Sequence, residues 1–247
     1  MHQLEARRRR ARFASICQRC GLKLDYALNS PGLPILEEVF VKRNYADYFP
    51  FYQRNNVLDI GGHFGYFSIF AALNSAPGTR VVTVEPAARN LGVLRANIAR
   101  MGLDQIQPLH GAVAETTGTA TMHVTRAHNC SLIAEHSRGL AAGDEVTSET
   151  VPTFTLADVL AQHNLDSVDV LKLDCEGAEY GIIYESPKEV LQRSGLIMME
   201  FHDLKDARRS GLAMVEQLKL KGFHVIQFHH LPSNMNLNYG KIVAVRE

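Results

Sequence analysis

The sequence predicts an α/β protein: an open, mostly parallel sheet with helices on both faces and an antiparallel hairpin strand at its C-terminal end. Three observations carry this. From Asn56 onward, short β-branched runs alternate with segments of helical period. The first run passes through an acid and a glycine turn into a helix, NVLDIGGHFGYFSIF over Asn56–Phe70, the way a nucleotide-binding βαβ unit begins. The last two apolar runs, His224–Phe228 and Lys241–Val245, flank a polar Pro-Ser-Asn-Met-Asn stretch that suits a hairpin.

Taken in order, residues 1–53 lack a strand pattern, and Pro31-Gly32 and Pro34 mark a turn inside them. They read as an N-terminal helical arm or lid ahead of a main domain over residues 54–247. The aromatic cluster Tyr45, Tyr48, Phe49, Phe51 and Tyr52 reads chiefly as core packing, with part of it free to cover a ligand. In RVVTVEP, the run Val81–Val84 reads as a buried parallel strand with Glu85 at its end. The next helix carries Leu91, Leu94, Ile98 and Met101 on one face, with Pro86 expected at its N1 position and Gly102 past its end. A third strand is expected over about 105–112. A turn at Thr116–Gly118 then leads into an extra strand, Ala120–Val124, in a hairpin that interrupts the alternation.

Residues from about 125 to 150 have no clear period and read as a long loop, in which His128, Asn129 and Ser131 are candidate acceptor contacts. Thr155-Leu-Ala-Asp158 resembles a capping box opening a short helix. Strands follow at Asp169–Leu173 and Leu196–Phe201, and then a helix bearing Leu212, Val215 and Leu218 that ends at Gly222.

The first turn is spaced D-x-G-x-x-x-G from Asp59 through Gly61 to Gly65, whereas a dinucleotide turn is spaced G-x-G-x-x-G. An acid ahead of the glycines points toward S-adenosylmethionine. That ligand has no pyrophosphate to repel, and offers an ammonium, a carboxylate, a sulfonium and a ribose diol. Glu85, 26 residues after Asp59 with one helix between them, stands where a carboxylate can accept both ribose hydroxyls.

Two acidic segments sharpen the reading: LKLDCEGAEY (Leu171–Tyr180) and IMMEFHD (Ile197–Asp203). With VLDIGGHFGYFS, VTVEP, HGAVAE and VPTFTLADVL in order, the chain from about Val57 to Phe228 resembles the FkbM-type family of S-adenosylmethionine-dependent class I methyltransferases. The resemblance implies a Rossmann-like sheet, S-adenosylmethionine as cofactor, and methylation of a hydroxyl on a small molecule or sugar. It implies a methionine-side loop of Asp59, Gly61, Gly62, His63, Phe64 and Gly65, a ribose side at Glu85 and Pro86, and an adenine side at Ala112 and Val113. His63 stands where relatives commonly carry Asn, so the turn's backbone is the expected contact there.

Methyl transfer is an in-line displacement by a hydroxyl oxygen, so the site must align three atoms and take up a proton. Asp174 and Glu200 end central strands, and His202 lies two residues after Glu200 on the same side of an extended chain. Asp174 is expected as substrate ligand, base or metal ligand, and His202, neutral near pH 7, as a base or ligand. Glu176 is grouped with these catalytic candidates, while Glu179 is expected to stabilise the next helix N-terminus by about 0.3–1 kcal/mol. Asp174, Glu200 and His202 also offer the mixed donors that suit a divalent ion, and the sequence leaves that alternative open.

Two rival readings use the same features: an NAD-dependent dehydrogenase or epimerase on the same sheet, and a non-catalytic cofactor-binding module working through an arginine-rich terminus. Arg7, Arg8, Arg9, Arg10 and Arg12 cluster there and read chiefly as a solvated face. Lys plus Arg and Asp plus Glu balance at 26 each, which gives no electrostatic reason to expect nucleic acid. With 46% hydrophobic residues a sizeable core is expected. No apolar run reaches membrane-spanning length, and a cytoplasmic location is the default expectation. Cys17 and Cys20 form a lone C-x-x-C and, with Cys130 and Cys175, read as structural or incidental thiols.

Overall fold

The computed structural model describes residues 2–124, 130–131, 147–204, 206–231 and 239–247. The chain begins with helices α1 (His2–Cys20), α2 (Tyr26–Asn29) and α3 (Leu33–Phe40), then enters strand β1 (Asn56–Ile60) and helix α4 (Tyr66–Leu73). Next come β2 (Arg80–Glu85), α5 (Ala88–Met101), β3 (Ile106–His110), β4 (Ala112–Val113), β5 (Gly118–Val124), β6 (Cys130–Ser131) and β7 (Thr147–Phe154). The second half runs α6 (Leu156–Gln162), β8 (Val168–Leu173), α7 (Glu179–Glu185), α8 (Lys188–Leu191), β9 (Ser194–His202), α9 (Gly211–Leu220), β10 (Phe223–Leu231) and β11 (Tyr239–Arg246).

Seven strands form one sheet in the order β10-β11-β9-β8-β1-β2-β3. β9, β8, β1, β2 and β3 run parallel, and β11 pairs antiparallel with both β9 and β10, as the sequence leads one to expect. The two-residue period sorts the strand side chains onto two faces. Val57, Val81, Val170 and Met198 face one core with Phe13 and Ile16 of α1, Leu36 of α3, Phe70 of α4 and Leu94 of α5. Leu58, Val82, Leu171 and Ile197 face the other, with Val159 of α6, Ile183 of α7 and Met214 of α9. The N-terminal helices therefore share a core with the sheet.

Several expectations are corrected. The third strand stops at His110, because Gly111 at φ 149° diverts the chain and packs against Phe154 and the Pro152 carbonyl, where a Cβ would lie 2.7–2.8 Å away. Ala112–Val113 joins a second sheet, ordered β4-β7-β5-β6. The expected hairpin between strand three and the extra strand does not form; β7, which begins within the stretch read as a loop, lies between β4 and β5 and pairs antiparallel with β5. Pro86 precedes α5 by two residues rather than occupying N1, because Glu85 Oε1 accepts the Ala87 N–H at 2.9 Å and holds a turn there. Leu212 is exposed on α9, which buries Gly211, Met214 and Leu218 instead.

The capping box holds: Thr155 Oγ1 accepts from Asp158 N, and Asp158 Oδ2 accepts from Thr155 N, each at 3.1 Å. His128, Asn129, the side chain of Ser131 and the stretch 232–236 lie outside the described residues. Among the described residues no helix is long and apolar enough to cross a membrane.

Candidate functional site

The ends of β1, β2, β8 and β9 surround a cavity of about 250 Å³. Its floor is the turn after β1. Gly61, at φ 82°, and Gly62 both donate their N–H groups to the Val84 carbonyl at 3.0 Å. A Cβ on Gly61 would lie 1.8 Å from the Asp174 carbonyl oxygen, and one on Gly62 would lie 2.2 Å from Thr83 Oγ1. Only glycine lets the neighbouring strand ends come this close to the turn. Gly65, also at φ 82°, ends the turn as the N-cap of α4.

Beneath the turn, Asp59 and Lys172 are register partners on adjacent parallel strands, so their side chains share a face. Lys172 Nζ sits 3.1 Å from Asp59 Oδ1, 2.8 Å from the Gly61 carbonyl it donates to, and 3.8 Å from Asp174 Oδ2. Asp59, fully buried, also accepts from Ser68 Oγ at 2.7 Å. Burial pulls the Lys172 ammonium down, but Asp59 and Asp174 outweigh it and hold the pKa above the ordinary lysine range.

At the next strand end, Glu85 accepts from His63 N at 2.7 Å, Ala87 N at 2.9 Å and Asn90 Nδ2 at 3.2 Å. Burial nonetheless pushes its carboxyl up to about 7. Beyond it the wall turns apolar, with Ala112, Val113 and the buried Met122.

The opposite end is acidic. Asp174, Glu176 and Glu200 line it, with Glu176 at φ 52° and Gly177 at φ 102° bending the chain into α7. Glu179 is fully buried and accepts the N–H groups of Cys175 and Gly177 at 2.8 Å, so it holds this bend together. It also meets His202 Nδ1 at 3.2 Å, while His202 Nε2 lies 3.5 Å from Glu176 Oε2 and 3.8 Å from Glu200 Oε1. Lys241 Nζ lies 4.0 Å from Glu200 Oε2 and 5.5 Å from the centre of the Tyr45 ring.

These neighbours correct one expectation. Burial alone would lower the His202 pKa, but Glu176 and Glu179 raise it well above the ordinary histidine value, so the ring carries a proton near pH 7 rather than standing neutral. Burial, with Asp174 next, pushes Glu200 up to about 8, and burial likewise raises Asp174 against the pull of Lys172 and His202.

Of the residues singled out in the sequence, Gly61, Gly62, His63, Glu85, Pro86, Ala112, Val113, Asp174, Glu176 and Glu200 line the cavity. His202 is buried against the acidic end. Asp59 does not line the cavity; it lies behind the turn. Phe64 belongs to the core, stacked on His63 with ring centroids 4.0 Å apart. Sequence reading missed Lys172, Asn90, and the wall formed by Ile35, Glu38 and Val39 of α3. Lys172 had a signal: a lysine at the buried end of the central strand VDVLKL, flanked by leucines, needs a buried partner.

Comparison with known proteins bears on the family and the fold. The family model described as the methyltransferase FkbM domain matches residues 59–241. The AMB antimetabolite synthetase AmbE of Pseudomonas aeruginosa is 25% identical over 224 residues, covering 77% of this chain. This chain spans only 10% of that protein's length. Methyltransferase 1 of Beauveria bassiana is 23% identical over 205 residues, covering 77% of this chain and 80% of that protein. The crystal structure of methyltransferase FkbM from Methylobacillus flagellatus shares the fold, with a TM-score of 0.54 at 11% identity, covering 96% of this chain and 59% of that one. With the family model matching most of its length, the chain belongs to the FkbM methyltransferase family.

Proposed function

We propose that the protein transfers a methyl group from S-adenosylmethionine to a hydroxyl of a small molecule or sugar. The observation that carries this reading is a single cavity bounded by Glu85 and an apolar wall at one end and by Asp174, Glu176 and Glu200 at the other. The residues fit the donor. A carboxylate offers about four acceptor positions, and three N–H donors leave Glu85 with capacity for a ribose hydroxyl. Ala112, Val113 and Met122 suit adenine, and the acidic end suits a sulfonium. The donor supplies an electrophilic methyl on that sulfonium. Membership in a methyltransferase family sets aside the dehydrogenase reading of the same sheet.

The chain's own groups then do three things. Asp59 acts indirectly: it holds Lys172, which fixes the Gly61 carbonyl and faces Asp174. Ile35, Glu38, Val39 and Tyr45 wall the cavity, so residues 1–53 serve as its lid, excluding water while the acceptor is aligned. The acceptor proton passes to the Asp174 carboxylate, because His202 is already protonated and Glu200, with its carboxyl pushed up to about 8, holds its own proton near pH 7. A positioned base contributes roughly 10²–10⁴-fold.

The test is transfer of radiolabelled methyl to a library of hydroxylated small molecules and sugars, with amines alongside. The expected result is an O-methylated product, with kcat reduced by about 10²–10⁴-fold in Asp174→Asn. Methylation confined to the amines overturns the assignment to oxygen. No calorimetric binding of S-adenosylmethionine by folded protein overturns the whole reading.

A further inference from the structure

We infer that Asp174, Glu200 and His202 form a site for one divalent cation, placed to hold the acceptor hydroxyl in the reading above, on which that role rests. The residues come from the adjacent ends of β8 and β9. One ligand atom from each lies within 4.8 Å of the other two, around a point at the acidic end of the cavity. Ligand distances of about 2.0–2.4 Å span that spacing after shifts of a few tenths of an ångström.

Two independent features point to a cation. The first is the orientation of His202. Glu179, fully buried and fixed by the Cys175 and Gly177 N–H groups, takes the Nδ1 side of the ring at 3.2 Å. Nε2 is thereby turned toward Glu200 and Glu176. A carboxylate behind one imidazole nitrogen is the arrangement that presents the other nitrogen to a metal. Glu179 is not one of the three ligands, and a ring needed only to fill core space requires no such support.

The second is charge. Asp59 takes the charge of Lys172 at 3.1 Å. The remaining carboxylates, Asp174, Glu176, Glu179 and Glu200, face Lys241 and the His202 ring. A bound dication displaces the protons that His202 and Glu200 otherwise hold, so that the ring coordinates as a neutral ligand and the carboxyl as an anion. Among the described residues, this end of the cavity is then predominantly negative and favours a cation. Two carboxylate oxygens and one imidazole nitrogen form a hard-to-intermediate donor set that suits Mn²⁺, Fe²⁺ or Mg²⁺ over thiophilic ions. Coordination to the ion would acidify the acceptor hydroxyl. The oxygen loses its proton to a neighbouring carboxylate and attacks the methyl carbon, and sulfur keeps the electron pair of the broken C–S bond.

The probe is Mn²⁺, titrated into metal-stripped full-length protein and followed by electron paramagnetic resonance. The expected result is one tightly held ion per chain, with affinity at least tenfold weaker in Glu200→Gln and about 10–100-fold weaker in the orienting variant Glu179→Gln. Circular dichroism shows that each variant is folded. No Mn²⁺ binding by wild type, or unchanged binding in Glu200→Gln, overturns the inference. A parallel titration with S-adenosylhomocysteine in EDTA separates the two readings. Nucleoside binding without Mn²⁺ binding sinks the metal site alone, whereas Mn²⁺ binding without nucleoside binding sinks the methyl-transfer reading and leaves the metal site standing.

Discussion

Replacing Lys172 by methionine keeps the length of the side chain and removes the cation that faces Asp59 inside the sheet. Both side chains are almost wholly buried, Lys172 at 4% exposure and Asp59 at 0%, so solvent screens neither. Breaking such a pair costs about 3–5 kcal/mol, because the surviving charge is left buried without a counterion. Asp59 keeps the hydrogen bond donated by the Ser68 hydroxyl, which offsets part of the loss and holds it near that range. Against a total stability of roughly 5–15 kcal/mol the deficit is large. Urea unfolding followed by circular dichroism at pH 7 measures it. The double variant Lys172→Met/Asp59→Asn removes both charges, and we expect it to be more stable than the single variant by about 2 kcal/mol, a coupling of the size found between contacting residues. A single variant within about 1 kcal/mol of wild type, or a double variant no more stable than the single, refutes the pairing as the support of the turn.

Glu85 gives a pH prediction. Burial raises its carboxyl from 4.5 to about 7, so the folded chain holds this proton more tightly than the unfolded chain. Its contribution is full below about 4.5 and is lost as pH rises through 7, a change of about 3 kcal/mol. Melting temperatures measured across that window should fall more steeply in wild type than in Glu85→Gln, which keeps the contributions of Asp174 and Glu200; equal slopes refute it. Ribose hydroxyls that donate to Glu85 favour its ionised form, so calorimetry should find S-adenosylhomocysteine binding about tenfold tighter at pH 8 than at pH 6, with no such change in Glu85→Gln. Gly61→Ala places a methyl group on the Asp174 carbonyl in a left-handed turn, and should abolish nucleoside binding at temperatures where circular dichroism still reports folded protein. Thr155→Ala removes the capping box of α6 and should cost about 0.5–2 kcal/mol by urea unfolding. Arg12→Ala breaks an exposed pair with Glu37 and should cost less than about 1 kcal/mol in the same assay.

What was legible in the sequence was local. The run from Asn56 to Phe70 announces strand, turn and helix because the apolar stretch, the glycines and the following aromatic face are contiguous. Glu85 and Asp174 are legible as strand-end acids for the same reason. The second sheet was hidden, because β7 pairs with β5 across a long separation and carries Pro152 among threonines and a glutamate, a composition that reads as loop. Asp59 was visible but its role was not. Its assignment as a ligand depended on its place before the glycines, whereas the register of β1 on β8 puts it opposite Lys172 and behind the turn. His202 misled for a related reason. Its charge state is set by Glu176 and Glu179, which a bend at positive φ folds back over it, and nothing in the IMMEFHD segment encodes that contact.

The most direct test of the account is a crystal structure of the protein with S-adenosylhomocysteine. We expect a ribose hydroxyl within about 3 Å of a Glu85 carboxylate oxygen. The adenine should lie against Ala112, Val113 and Met122, and the sulfur should face Asp174 and Glu200. A nucleoside bound elsewhere, or bound in this cavity with its sulfur turned away from the acidic strand ends, contradicts the claim that those ends surround a methyl-transfer centre.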